Sequence, residues 1–187
     1  MDTATPLSDN DLLRRMIAGD EEAFVSIYRR WNGAIYRFAL QMSGSQEIAE
    51  EVTQDTFLVL IRNARDYQAT RGPLVAWLLG IARNLVRQAI GASREMEPIE
   101  ESSFAADATG ASDALDDLSR RETIEAVRQA VLSLPPAYRE VAVLCELQEM
   151  EYRDAASILK CPVGTVRSRL HRARTMLISK LRAGCLV

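Results

Sequence analysis

The chain has 187 residues, 48% of them hydrophobic and 26% charged, with a net charge of −3, which allows one medium domain or two small ones with a real core. The N-terminus is acidic and polar, unlike a secretory signal, and no window approaches the ~20 apolar residues that cross a bilayer, so we expect a cytoplasmic protein without membrane insertion. Three cysteines without CxxC spacing and one histidine are too few for a zinc site or a disulfide framework, so we expect no cofactor.

Helical signals follow one another through residues 1–93. Ser8, Asp20 and Ser45 can each cap a helix, and an apolar stripe at close to 3.6-residue spacing follows each of them. The run Arg71-Gly72-Pro73 predicts a turn and then a fourth helix, because proline suits the first helical position. The predicted inward positions are Leu12, Leu13, Met16 and Ile17 in the first helix, Phe24, Ile27, Tyr28, Trp31 and Ile35 in the second, Ile48, Val52, Phe57, Leu60 and Ile61 in the third, and Trp77, Leu78, Ile81 and Leu85 in the fourth. No stretch alternates with period two over a useful length, so we predict an all-α fold.

Residues 94–118 differ in composition from the segments on either side. They hold eight acidic side chains and one basic side chain, and they are rich in serine and alanine. Such a segment cannot bury enough apolar surface to offset the entropy of ordering it. We therefore predict a flexible acidic linker that joins two small helical domains, 1–93 and 119–187.

The helical pattern returns at Ser119, and the second domain is basic. Its first predicted stripe is Ile124, Val127, Val131 and Leu134, and it ends at Pro135-Pro136. A short helix over 152–159, a turn over 160–162 and a last helix from Val163 follow, which is the pattern of a helix-turn-helix. The segment 163–182 holds six basic side chains and no acidic one, so it suits a phosphate backbone.

The last helix has two contrasting faces. Val166, Leu170, Ala173 and Leu177 share an apolar face that can pack on the preceding helix. The other side presents groups that can contact DNA, namely Arg167, Ser168, His171 and Arg172 towards base edges and Arg169 and Arg174 towards phosphates. A solvated basic face is the common alternative, but the short turn, the small Ala155-Ala156 pair and the lack of acids favour DNA binding.

Several runs resemble those of the extracytoplasmic-function (ECF) sigma factors of the bacterial sigma-70 family. CPVGTVRSRLHRAR resembles the helix that recognises the promoter −35 element, and LPPAYREVAVLCELQEMEYRDAASIL is similar to the helices before it. AEEVTQDTFLVLIRNARDY resembles the polymerase-binding helix, and RGPLVAWLLGIARNLVRQ resembles the segment that melts and reads the −10 element. The resemblance covers all but the linker, in the expected order.

The resemblance implies a function and a set of partners. The chain would direct core RNA polymerase to specific promoters, with sigma region 2 at 1–93 and sigma region 4 at 119–187. It would not be an enzyme and would have no small-molecule substrate. Its implied partners are core RNA polymerase, promoter DNA and an anti-sigma factor, which most members of the family have.

The resemblance also assigns roles in the first domain. Asn84 matches a position that helps to hold a flipped −10 base, and Tyr67 and Arg71 lie where the capturing loop begins. Tyr67 could equally be a packing residue, and for Trp77 we prefer a core role. Arg83 and Arg87 could follow the phosphates of the strand or snorkel from a surface helix.

An acidic stripe on the third helix has two interpretations. Glu47, Glu51 and Asp55 lie at i, i+4 and i+8, and their mutual repulsion slightly destabilises an isolated helix. They could form a solvated face, the usual fate of charges. The resemblance instead places Glu51, Gln54 and Asp55 on the surface that docks on core polymerase, which would explain why the repulsion is tolerated.

Other function classes have less support from the sequence. A stand-alone helix-turn-helix repressor or activator would need a ligand-binding or dimerisation domain in place of the acidic docking helix. An enzyme would need a phosphate loop, a catalytic triad or a metal cluster, and none is recognisable. An adaptor would not need a basic recognition helix. We interpret Cys145 and Cys161 as small apolar fillers, with a redox role left open.

Overall fold

A computed structural model describes residues 7–96 and 114–184, and every regular element within them is helical. The N-terminal domain contains α1 (Asp9–Ile17), α2 (Glu21–Ser43), α3 (Gln46–Asn63) and α4 (Leu74–Met96), with 3₁₀ turns at Ala64–Asp66 and Ala69–Arg71. The C-terminal domain contains α5 (Ala114–Leu132), α6 (Pro136–Ala142), a one-turn π-helix (Val143–Leu147), α7 (Tyr152–Leu159) and α8 (Val163–Gly184). The predicted all-α fold is confirmed, with α7 and α8 as its helix-turn-helix. None of the described helices is both long and apolar enough to span a membrane.

The first three helices begin at the caps that the sequence predicts. Ser8 Oγ accepts a hydrogen bond from the Asp11 N–H, and Ser45 Oγ accepts one from the Ile48 N–H at 3.3 Å. Asp20 Oδ1 caps α2 in the same way, with the Ala23 N–H at 3.2 Å. Each such cap stabilises its helix by about 1 kcal/mol. Local sequence therefore decides where these helices start.

The core of the N-terminal domain lies where α2, α3 and α4 pack together. Ile27, Phe38, Leu60 and Leu78 are completely buried there, and α1 covers one side of α2. Ile17 and Ile61 were predicted to point inward, but they are 38% and 54% exposed. Successive helical residues lie about 100° apart, and Ile61 lies on the side of α3 that borders the open groove between α2 and α3.

The C-terminal domain is built on α6 and α8. Val166, Leu170 and Ala173 are buried against the rest of the domain, which confirms the predicted apolar face of α8. The predicted stripe on α5 is wrong at its start, because Ile124 is 60% exposed and Val127 is also exposed. Among the residues of α5 from 123 onward, whose burial is described, Ala130 is the first buried one.

Most of the predicted linker, 94–118, lies outside the described residues. Within the described ranges, α4 continues to Met96 and α5 already begins at Ala114. Both helices therefore extend further into this segment than its composition predicts. Composition alone does not locate a helix end, since alanine has the highest helix propensity and acidic residues favour the first turn.

The two domains contact each other. Helix α7 packs on α4, and α5 and the π-helix reach α2, so that a single apolar core runs from one domain into the other. This contact decides which of the predicted functional side chains are open to solvent.

Candidate nucleic-acid interface

The turn of the helix-turn-helix is held by backbone geometry. Lys160 ends α7 in the left-handed conformation, with φ of 51°, and the Cys161 N–H donates to the Ala156 carbonyl at 3.1 Å. This is how helices commonly end, although glycine is the usual residue at such a position. Ala155 and Ala156 are buried, and their small side chains let α7 pack closely on its neighbours. The turn thereby sets α8 at the surface.

The outer face of α8 carries the predicted base-reading residues. Arg167, Ser168, His171 and Arg172 are all exposed, on the side opposite the buried apolar face. The Ser168 hydroxyl donates to the Thr165 carbonyl at 3.1 Å. None of the residues that α8 contributes to this face is acidic. The arrangement is able to present donors to the major groove of a duplex.

Two side chains that the sequence did not single out hold the arginines of α8. The guanidinium carbon of Arg167 lies 5.9 Å from the ring centroid of Tyr152, within the range of a cation–π contact. Arg174 is paired with Glu146, at 2.6 Å between Nη2 and Oε1, and this hydrogen bond raises the pKa of Arg174. A phosphate would have to replace Glu146 at Arg174. Neither partner follows from helical spacing, because Glu146 lies 28 residues away in sequence.

A small cleft at the start of α4 brings the predicted strand-reading residues together. It has a volume of about 300 Å³, and its lining includes Tyr67, Arg71, Trp77 and Asn84. The rings of Tyr67 and Trp77 lie 5.8 Å apart. Arg71 and Asn84 are exposed at its edge. Aromatic walls beside an amide are suited to an unstacked base.

Tyr67 also shapes the loop that leads into α4. Its hydroxyl donates to the Gly72 carbonyl at 3.0 Å, and burial raises the pKa of the phenol, so the group stays protonated as a donor. Gly72 has φ of 141° and ψ of 176°, a conformation that is essentially restricted to glycine. A packing role and a base-capturing role for Tyr67 are therefore compatible, because the same ring packs on Trp77 and also lines the cleft.

The two arginines of α4 differ in accessibility. Arg87 is exposed, whereas Arg83 is buried and makes a two-point pair with Glu140 of α6, at 2.9 Å from Nε to Oε1 and 3.0 Å from Nη2 to Oε2. The alternative in which Arg83 snorkels from a surface helix is wrong, because the side chain is buried. Its contact with a phosphate stays a prediction, since Glu140 occupies the guanidinium in this arrangement. The partner lies 57 residues away, in the other domain, and local sequence carries no signal for it.

One of the predicted docking residues, Gln54, lines an apolar groove. Glu51 and Gln54 are exposed on α3, and Asp55 is partly exposed. The groove between α2 and α3 has a volume of about 830 Å³ and is lined by Tyr28, Ile61, Leu58, Phe57 and Gln54, among others. Tyr28 and Ile61 were predicted to point inward, but both are exposed at this groove. Of the predicted docking residues Gln54 lines this groove, beside Glu50 of the same helix, whereas Glu51 and Asp55 lie outside its lining. The exposed Leu58 and Ile61 give the groove an apolar surface of the kind that marks protein-binding sites.

The described cysteines favour the packing interpretation. Cys145 is partly buried, and loss of solvation raises the pKa of its thiol to about 11. A thiol with such a pKa is almost entirely protonated at neutral pH, so it reacts slowly with oxidants. Cys185 lies outside the described residues.

Comparisons with known proteins match both halves of the chain. The family model Sigma-70 region 2 matches residues 27–95, and the model Sigma-70, region 4, matches residues 124–177. The chain is 31% identical to the ECF RNA polymerase sigma factor SigW of Bacillus subtilis, over 91% of this chain and 95% of that protein. It is 32% identical to the ECF sigma factor SigE of Mycolicibacterium smegmatis, over 85% of this chain and only 63% of that longer protein. The solved structure of the sigma factor RpoE of Bartonella quintana, in complex with the anti-sigma factor NepR, has a TM-score of 0.67 and 27% identity, over 85% of this chain and 96% of that one.

Proposed function

This chain belongs to the ECF sigma factors of the sigma-70 family, and from that premise we propose how its surfaces direct core RNA polymerase to specific promoters. In this proposal, region 2 is at 1–93, a linker is at 94–118 and region 4 is at 119–187. The chain acts by binding and not by catalysis, alongside cytoplasmic RNA polymerase. The main support for this proposal is that the chain has two distinct surfaces, an exposed basic face on α8 that suits a duplex and a base-sized cleft at α4.

In the proposed mechanism, α8 enters the major groove at the −35 element. Arg167, Ser168, His171 and Arg172 contact base edges near the N-terminal end of the helix. Arg169 and Arg174 hold phosphates, which fix the register without specifying sequence. The support is the exposure of all four base-reading side chains on one face of a well-packed helix.

The cleft of the N-terminal domain captures a base of the melted −10 strand. Unstacking one base costs a few kcal/mol, and stacking on an aromatic side chain returns about 1–3 kcal/mol. Tyr67 offers such a ring, Asn84 offers an amide to the base edge, and Arg71 and Arg87 can contact the phosphates. The proximity of Tyr67, Trp77 and Asn84 around one cavity supports this step.

Docking on core polymerase uses α3 and the neighbouring groove. Glu51, Gln54 and Asp55 supply the polar rim, and Leu58 and Ile61 supply the apolar contact, the usual composition of a protein interface. The same exposed surfaces are available to an anti-sigma factor, and the Bartonella quintana relative was solved with one.

A transcription assay tests the function as a whole. Purified chain and core RNA polymerase are incubated with a library of promoter fragments, and run-off transcripts are sequenced to find start sites. We expect transcripts from a subset of fragments that share a −35 and a −10 element, and none without the chain. Transcription that is the same with and without the chain would contradict the assignment.

A further inference from the structure

We propose that in the free chain the C-terminal domain occupies the strand-reading face of the N-terminal domain, and that the Arg83–Glu140 pair is the latch of this closed form. The inference rests on the proposed function, because it concerns access to the cleft assigned to the −10 strand. In the closed form, α6 and α7 of the same chain cover that face.

The latch is a charge pair between helices of different domains. Arg83 on α4 and Glu140 on α6 are 10% and 9% exposed in their side chains, and they pair through two hydrogen bonds. This two-point arrangement is the strongest geometry available to an arginine and a carboxylate. Burying either charge without the other is strongly unfavourable, so the pair makes closure specific.

Helix α7 forms one wall of the cleft. Ser157, Ile158 and Lys160 line the same cavity as the predicted strand-reading residues. A Cβ atom added to Gly72 would lie 3.5 Å from Asp154 Oδ1, which shows how closely α7 approaches the loop before α4. A base that entered this cleft would lie against α7, so a strand that continues from the cleft meets α7 beside Tyr67 and Asn84.

A second set of contacts closes the other end of the interface, at the C-terminus of α2. Arg128 Nη2 donates to the Gly44 carbonyl at 3.2 Å, and Arg139 Nη1 donates to the Met42 carbonyl at 2.8 Å. The last turn of α2 has no basic residue of its own, so these arginines complement the negative end of its dipole. Gly44 has φ of 76°, and a Cβ there would lie 3.2 Å from Leu132 of α5.

The closed form leaves the docking surface accessible. Glu51 and Gln54 stay exposed, and the α2–α3 groove is lined by residues of the N-terminal domain alone. Polymerase can therefore meet the closed chain before the strand-reading face is free. Opening would then let Arg83 exchange the Glu140 carboxylate for a DNA phosphate.

Closure has a measurable effect on affinity. If the binding-competent form is only a fraction of the population, the apparent association constant is reduced to that fraction of its intrinsic value. A chain that is about nine-tenths closed would bind a single strand roughly tenfold more weakly than an open one, equivalent to about 1.4 kcal/mol.

The test uses the full-length chain and changes Glu140, which has no assigned contact with DNA. We compare the wild type with Glu140→Gln and with the exchange Arg83→Glu/Glu140→Arg, by small-angle X-ray scattering and by hydrogen exchange of α4. Glu146→Gln is the matched control, because it removes the same charge from a pair that lies within one domain. Circular dichroism checks that each variant keeps its helices.

We expect Glu140→Gln to increase the radius of gyration and the exchange rate along α4, while Glu146→Gln behaves as the wild type. The exchange variant should close again, which keeps the test decisive if the single variant proves unstable. Equal scattering and equal α4 exchange in the wild type, Glu140→Gln and the control would overturn the latch.

Strand binding separates the latch from the proposed function. A fluorescein-labelled pool of random single-stranded DNA oligonucleotides is titrated with the wild type and with Glu140→Gln, and Glu140→Gln should bind roughly tenfold more tightly than the wild type. If the chain opens and its affinity for the pool does not rise, the latch stands and the assignment of the cleft to a DNA strand fails.

Discussion

The two surfaces assigned to nucleic acid differ in what lies against them. On α8 the side chains assigned to base reading face solvent, with Tyr152 beside Arg167. On α4 the strand-reading cleft has a wall from α7, and Arg83 is paired with Glu140. An amphipathic helix can carry its function on the face that it does not bury, whereas a cleft between helices depends on what packs beside it. The open surface follows from a helical pattern and the covered one from the contact between domains.

The largest expected effect is on the open surface. We expect Arg172→Ala to reduce promoter-specific transcription by roughly ten- to a hundredfold, since loss of a two-point base contact costs about 1–3 kcal/mol. Binding to core polymerase should be unchanged in a pull-down. Arg182→Ala, on the same helix but far from its N-terminal end, is the control. Equal transcription by Arg172→Ala and the control would remove the −35 assignment.

A comparable loss of transcription is expected from a change in the cleft at α4, and its size should depend on the DNA template. We expect Tyr67→Ala to lower transcription from duplex promoters by roughly tenfold or more, because stacking on an aromatic ring is worth about 1–3 kcal/mol per base. Tyr67→Phe keeps the ring and loses only the hydrogen bond to Gly72, so it should retain most activity. A template with a premelted −10 region should partly rescue Tyr67→Ala. An identical loss for Phe and Ala would point to loop geometry instead of base stacking.

A smaller effect is expected at the docking surface on α3, which is exposed in the closed form and in the proposed open form. We expect Glu51→Ala with Asp55→Ala to weaken capture by core polymerase several-fold, because exposed charge contacts are worth about 0.2–1 kcal/mol each. Fluorescence anisotropy of labelled chain with core polymerase measures this, and circular dichroism should show unchanged helicity. Glu21→Ala with Glu22→Ala, at the start of α2, is the matched control. An unchanged affinity in the first double variant would contradict the docking role.

The smallest expected effect concerns the ion pair between Arg174 of α8 and Glu146. We expect Glu146→Gln to free Arg174 for a phosphate and to raise affinity for −35 duplex DNA by at most a few-fold, because the pair is largely exposed. The log–log salt dependence of duplex binding should steepen by roughly one phosphate contact. A shallower salt dependence would mean that Glu146 helps to position Arg174 rather than competing for it.

Much of the fold and part of the site could be predicted because they depend on neighbours in sequence. The caps at Ser8, Asp20 and Ser45 and the buried face of α8 each follow from groups a few residues apart. The burial of Arg83 could not be predicted in this way, because its partner is on another helix in the other domain. The predicted burial of Ile61 and Ile124, which lie at the ends of their apolar stripes, is wrong for a related reason. Periodicity shows which side of a helix is apolar, but it does not show how far a neighbouring helix covers that side.

The amino-acid sequence by itself determined the helices, the basic outer face of α8, the acidic stripe of α3 and the family to which the chain belongs. These depend on residue types at short spacing, where backbone hydrogen bonds and side-chain periodicity operate. Only the tertiary structure decided that Arg83 is buried against Glu140, that α7 walls the strand-reading cleft and that Tyr28 and Ile61 line an open groove. Those facts depend on contacts between distant segments, which form only when the domains pack and exclude water between them.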